Sequence, residues 1–159
     1  MSQEKKPSSS WSGWVWGDHH YEVPSVPMCN TNTDEGCSLK LVYECMVSNR
    51  SFVTPTNETG PVVNEGTTTI PYLGTVEHTV NQEDFSVTNT TRPDHLLDPG
   101  TVVRQVQEMP NGDVIVLTTG DGSGLVPGAN VALSSFVWGG PNEKLHQEVQ
   151  ENLDKKDKK

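Results

Sequence analysis

Two β-branched runs, TVVRQVQE from Thr101 to Glu108 and DVIVLTT from Asp113 to Thr119, flank the tetrapeptide Met109-Pro110-Asn111-Gly112. Val, Ile and Thr suit the pleated, half-buried surface of a strand. Pro-Asn-Gly supplies the backbone of a tight turn. The spacing predicts a hairpin from Thr101 to Thr119. An isolated hairpin is marginal in water, so this one requires further strands or a helix against one face.

Candidates for those neighbours lie upstream. TTTIPYLGTVEHTV is β-prone, with Pro71 restricting it to an edge or an irregular strand. NQED reads as a turn and FSVTNTT as a short strand, and RPDHLLDPG, punctuated by prolines and a glycine, as a structured loop. In SLKLVYECMVSNRSFV, Leu39, Leu41, Tyr43 and Cys45 alternate with Ser38, Lys40, Val42 and Glu44, which predicts another strand. TPTNETGPVVNEG reads as a linker. Downstream, Ala129 to Phe136 suits a short helix. PNEKLHQEVQENLDKKDKK suits a second one, capped by Asn142 and carrying a narrow stripe of Leu145, Val149 and Leu153. The fold class expected is α+β: a small antiparallel β-sheet with one or two short helices and a flexible N-terminal segment. Three parts follow: residues 1–65, partly ordered with one strand; 66–140, the β-rich core domain; and 141–159, a C-terminal helix with a frayed tail.

Only 32% of residues are hydrophobic, against nearly half in ordinary globular domains. The shortage falls at the two ends. Trp11, Trp14 and Trp16 interrupt the polar N-terminal stretch, and packing against the domain or a carrier protein is the expected use of such rings. The formal net charge of −10 opposes nonspecific attraction to nucleic acid or anionic lipid. No apolar run is long enough to span a bilayer, so no membrane partner is expected. No apolar stretch follows the N-terminal lysines, so no cleavable signal is visible; the expected location is the cytoplasm, or outside by a signal-independent route. Cys29, Cys37 and Cys45 are an odd set without a CxxC pair. They read as reduced thiols, or as one bridge and a spare, with no metal site.

Arg104 is the first candidate for chemistry. It shares a strand face with Val102 and Val106, where an unpaired charge is costly. Either a carboxylate such as Asp98 or Glu108 answers it, or it faces a cleft that takes an anion. His95, in the loop before that strand, has an ordinary pKa suited to acid–base work. Antiparallel pairing places Thr118 or Thr119 opposite Arg104. His95, Arg104 and Thr119 thus form a candidate catalytic patch of base, cation and hydroxyl, with Thr118, Asn130 and Trp138 as substrate-binding residues. The glycine-rich GDGSG lacks the Lys-Ser/Thr of a phosphate loop and has a single aspartate, so close approach of backbone is its expected use.

The blocks TTRPDHLLDPGTVVRQV, VIVLTTGDGSG and PGANVALSSFVWGG resemble C-terminal toxin modules of bacterial polymorphic secretion systems, of the RNase superfamily that includes barnase, EndoU and colicin-type toxins. The resemblance implies a small α+β fold, secretion from a bacterium, and metal-independent RNA cleavage by His95, Arg104 and Thr119, with no cofactor. RNA and a cognate immunity or carrier protein would be the partners. Two further readings stand beside it: a non-catalytic β-rich binding or secretion-associated module, and an acidic immunity or inhibitor protein.

Overall fold

A computed structural model describes residues 14–15, 19–95, 98–122, 126–127 and 130–157, with side chains over 20–95, 98–122 and 137–155. Along the chain the elements are β1 (Trp14–Val15), β2 (His19–Pro24), β3 (Cys29–Asn30), α1 (Leu39–Met46), a short 3-10 turn (Arg50–Phe52), β4 (Thr67–Ile70), β5 (Gly74–Asn81), β6 (Ser86–Thr91), β7 (Gly100–Glu108), β8 (Asp113–Gly122), β9 (Val126–Pro127) and α2 (Asn130–Asp157). Six strands form one antiparallel path, β2-β8-β7-β6-β5-β4, and β3 pairs with β8 beyond the end of β2 to complete a seven-stranded sheet. The fold is α+β. The hairpin read from the sequence is its centre. Arg104 pairs with Thr118, and Gly112 takes the turn at φ 95°, a conformation that favours glycine.

One face of the sheet is dry. Val87, Val106, Val114 and Val116 lie on it and are fully or almost fully buried. They meet Met28, Val42, Met46, Leu145, Val149 and Leu153 in a single apolar cluster. The helices supply that cover. Leu145, Val149 and Leu153 recur at helical spacing, so the stripe that looked narrow sits wholly inside the core.

Several expectations are corrected. Ser38–Val53 is no strand: Ser38 Oγ accepts from the Leu41 amide at 3.0 Å and caps α1. Residues 39, 42, 43 and 46 then share one helical face, with Val42, Tyr43, Cys45 and Met46 buried. The alternation there fits two periods, and burial against the sheet selects the helical one. The proline-rich stretch after Val53 is an ordered loop, no linker. Arg50 bridges Glu58 at 2.9 Å and donates to the Thr59 carbonyl, while Thr54 and Thr56 are buried. The two C-terminal helices are one long element, α2, which runs through Gly139, Gly140 and Pro141. Asn142 lies inside that helix rather than capping it. Residues 19–65 contribute β2, β3 and α1 to the same sheet and core as 66–140, so no break in packing falls at residue 65. Of the two cysteine readings, one bridge and a spare holds: Cys29 and Cys37 form a disulfide, leaving Cys45 as a buried thiol. Trp11 and Trp16 lie outside the described residues.

Candidate functional site

Along β7 and its neighbours the inner face changes character. Beside the valines stands a polar tract of Thr68, His78, Asn89, Arg104 and Thr118, none more than 3% exposed. Arg104 is at its centre. Nη1 donates to Thr118 Oγ1 at 2.7 Å and to Asn142 Oδ1 at 2.6 Å, and Nη2 donates to the Phe52 carbonyl at 2.7 Å. The guanidinium also lies 4.8 Å from the centre of the Trp138 ring, a favourable placing of a cation over an aromatic face. Trp138 Nε1 in turn donates to the Tyr21 hydroxyl at 3.3 Å. Gly120 makes room for the Tyr21 ring, because a Cβ there would fall 2.2 Å from it. Burial pushes the Arg104 pKa down to about 9, against a nearby Tyr21. The group is still charged at neutral pH.

No carboxylate pairs with Arg104 among the described residues. Asp98 Oδ1 accepts from Thr91 Oγ1 at 2.6 Å and Glu108 Oε2 from Thr31 Oγ1 at 3.0 Å, so both expected partners are engaged elsewhere. Neutral acceptors and a ring answer the charge instead. Only Nε is left without a hydrogen bond. Arg104 ties β7 to β8, to α2 and to the end of the 3-10 turn, and it offers no surface to a substrate.

His78 anchors the tract's other end. Nδ1 meets Asn89 Oδ1 at 2.7 Å, Nε2 meets Thr68 Oγ1 at 2.6 Å, and Asn89 Nδ2 donates to the Val53 carbonyl at 2.9 Å. This set of partners assigns the proton to Nδ1 of a neutral imidazole. Burial pushes its pKa below the usual histidine value.

The expected catalytic patch does not assemble. Thr119 follows Thr118 in β8 and pairs with Val103 and Glu22, so it points to the sheet face opposite Arg104. His95 is buried in the loop after β6, against Gly74. Arg92, paired with Thr75 beside that loop, lies five positions beyond Val87, the β6 partner of Arg104. That is about 17 Å along the strand. Burial lowers the His95 pKa, while Asp94 and Asp98 raise it. Of the expected substrate-binding residues, Thr118 and Trp138 do gather at Arg104, in the core. The Asn130 side chain lies outside the described residues. RNA cleavage by these groups is therefore withdrawn: the cation is sealed inside, the hydroxyl faces away and the base is distant.

A concave surface lies just outside the Arg104 cluster. It is an open hollow of about 410 Å³ between the loop after the 3-10 turn, the β4–β5 turn and α2. Pro55, Ile70, Pro71, Leu73, Val137 and Pro141 supply apolar walls. Ser51, Thr56, Asn57, Gly140 and Lys144 complete it. Its walls are the neighbours in sequence of what Arg104 holds: Ser51 precedes Phe52, Pro141 precedes Asn142 and Val137 precedes Trp138. Tyr72, at the β4–β5 turn between two of the wall residues, is 99% exposed and held at φ 69°. The groove escaped sequence reasoning because Pro55, Pro71 and Pro141 read as chain breakers, with nothing local to say that they converge. Among the described residues, no cluster of His, Cys, Asp and Glu suits a metal ion, and no helix is long and apolar enough to cross a membrane.

No family model matches the chain, and no curated protein matches it. Solved structures with a similar course of the backbone include XoxI from Bacillus cereus, 13% identical with a TM-score of 0.49 over 84% of this chain and 96% of that one. Another is Ara h 8.0201, 12% identical with a TM-score of 0.49 over 85% and 99%. A third is Zhui aromatase/cyclase from Streptomyces, 13% identical with a TM-score of 0.45 over 88% of each chain. None of the three is described as a toxin or a ribonuclease, and likeness at this level assigns the chain to no family.

Proposed function

We propose that this protein is a non-catalytic binding module that holds a small, mostly apolar molecule in the groove between α2, the β4–β5 turn and the loop after the 3-10 turn. The observation that carries this reading is the groove itself. Its volume of about 410 Å³ falls in the range of small-molecule sites, roughly 300–1,000 Å³. Prolines from three separate segments stiffen the walls, which limits the ordering a ligand must impose. The hydroxyls along it are already engaged: Ser51 Oγ donates to Asn49 Oδ1 at 2.8 Å and Thr56 Oγ1 to the Thr69 carbonyl at 2.8 Å. Neither is set against a base, so binding rather than bond cleavage suits the site.

The test uses Nile red, a neutral dye that brightens in apolar surroundings. Gly140 lines the groove, and a Cβ there meets nothing within 4 Å. Gly140→Phe should therefore fill the groove without disturbing the fold, and should favour the helix slightly over glycine. We expect saturable dye binding by the native protein and a loss of at least tenfold in affinity for Gly140→Phe. Gly139→Ala, also in open space but off the groove, should bind as the native protein does. Equal binding by the native protein and Gly140→Phe, or none by either, would overturn the reading.

A further inference from the structure

We infer that the ligand of this groove is an amphipathic monoanion, with an apolar body against the proline walls and a carboxylate at Lys144. The inference rests on the groove being the binding site and adds the class of molecule it selects.

Three observations carry it. The first is the sign of the local charge. The chain carries 21 acidic residues against 11 lysines and arginines, yet the described residues lining the groove include Lys144 and no Asp or Glu. The second concerns Glu58, which adjoins the lining residue Asn57. Its Oε1 bridges Arg50 at 2.9 Å and its Oε2 accepts from the Thr69 amide at 3.1 Å. That carboxylate is neutralised within the loop and does not compete for Lys144. The third is geometric. Val137, Gly140, Pro141 and Lys144 follow one another at helical spacing, so they form one stripe along α2. The stripe is apolar at its first end and carries an ammonium at its last. A molecule lying along it meets apolar surface over most of its length and a cation at one end. Glu143 beside Lys144 and Glu148 one turn beyond it are not among the lining residues, and Glu148 Oε2 accepts from Asn152 Nδ2 at 3.0 Å; more distant charge is screened over about 8 Å at physiological salt.

The test displaces Nile red with a matched pair, decanoate and decanol, which share a chain and differ in charge. Lys144 is exposed, so its replacement leaves the fold intact. On the native protein decanoate should displace the dye at a concentration about three- to fivefold lower than decanol, the size of a partly exposed ion pair. Lys144→Gln should abolish that difference, Lys144→Glu should reverse it, and Lys144→Arg should keep it. Decanol matching or outdoing decanoate on the native protein would overturn the inference. So would a preference that survives Lys144→Gln. If the dye binds in a Gly140→Phe-sensitive way while decanoate shows no advantage, the anion is wrong and the groove stands. If dye, decanoate and decanol all fail to bind, both readings fall together.

Discussion

Arg104 keeps its charge where water does not reach, held by a hydroxyl, an amide, a carbonyl and a ring rather than by a carboxylate. Truncation would leave three buried acceptors without their donor and a void beneath Trp138. Arg104→Ala should therefore cost about 3–5 kcal/mol of stability. Arg104→Met, which fills the space but leaves the same three acceptors unpaired, should cost less than Arg104→Ala by the cavity share alone, about 1–2 kcal/mol. Urea unfolding of the two variants measures the contrast. Strand alternation let the sequence place Arg104 facing inward, but the turn at Gly112 left its partner open between Thr118 and Thr119; the pairing is with Thr118. What answers the charge was not legible: Phe52 and Asn142 arrive from distant segments. His78 makes a second prediction at this scale. Its folded pKa lies below its unfolded value near 6.5, so the unfolded chain takes up the proton first as pH falls. Its contribution is present above pH 6.5 and is lost on acidification below it. His95 shifts in the same sense. His20, raised by its hydrogen bond to Asp121, opposes them from the surface, where such effects are small. Denaturation midpoints should therefore drop from pH 7.5 to pH 5, and His78→Gln should flatten that slope; an unchanged slope in the variant would remove His78 as its source.

Among the elements, those whose cues are local were legible and those settled by packing were not. The β7–β8 hairpin needed only its own residues. The α1 segment carried a strand-like alternation together with a helix cap at Ser38, and the second signal prevailed once Val42 and Met46 met the sheet. α2 was divided in reading because Gly139, Gly140 and Pro141 look like a break. The helix continues across them although Pro141 lacks the amide that would bond the Val137 carbonyl. The Cys29–Cys37 bridge joins β3 to the approach of α1. Cross-linking a loop of that length removes denatured-state entropy worth about 2–3 kcal/mol on the chain-entropy view. The Cys29→Ser, Cys37→Ser double variant should lose about that much in urea unfolding while its circular dichroism keeps the native shape. Cys45, being buried, should resist thiol reagents until the protein unfolds.

At the scale of the whole molecule, the groove is a product of topology: Pro141 lies 70 residues beyond Pro71 and meets Pro55 and Pro71 only because the fold brings the β4–β5 turn and the loop after the 3-10 turn against α2. The same holds for β2, which lies at one end of the sheet path and pairs along the last residues of β8. A chain lacking residues 1–25 should expose β8 from Leu117 to Gly122 as a bare strand edge, together with the cleft left by Tyr21 and Val23. Size-exclusion chromatography should show it eluting as larger species than the native protein does. The pairing of Pro24 with Leu117 also bears on synthesis. At 5–20 residues per second, β2 waits roughly 5–20 s for its partner to be made, and α2 comes later still. A chaperone that shields Tyr21 and Val23 through that interval would raise the yield of folded protein more than one acting after release.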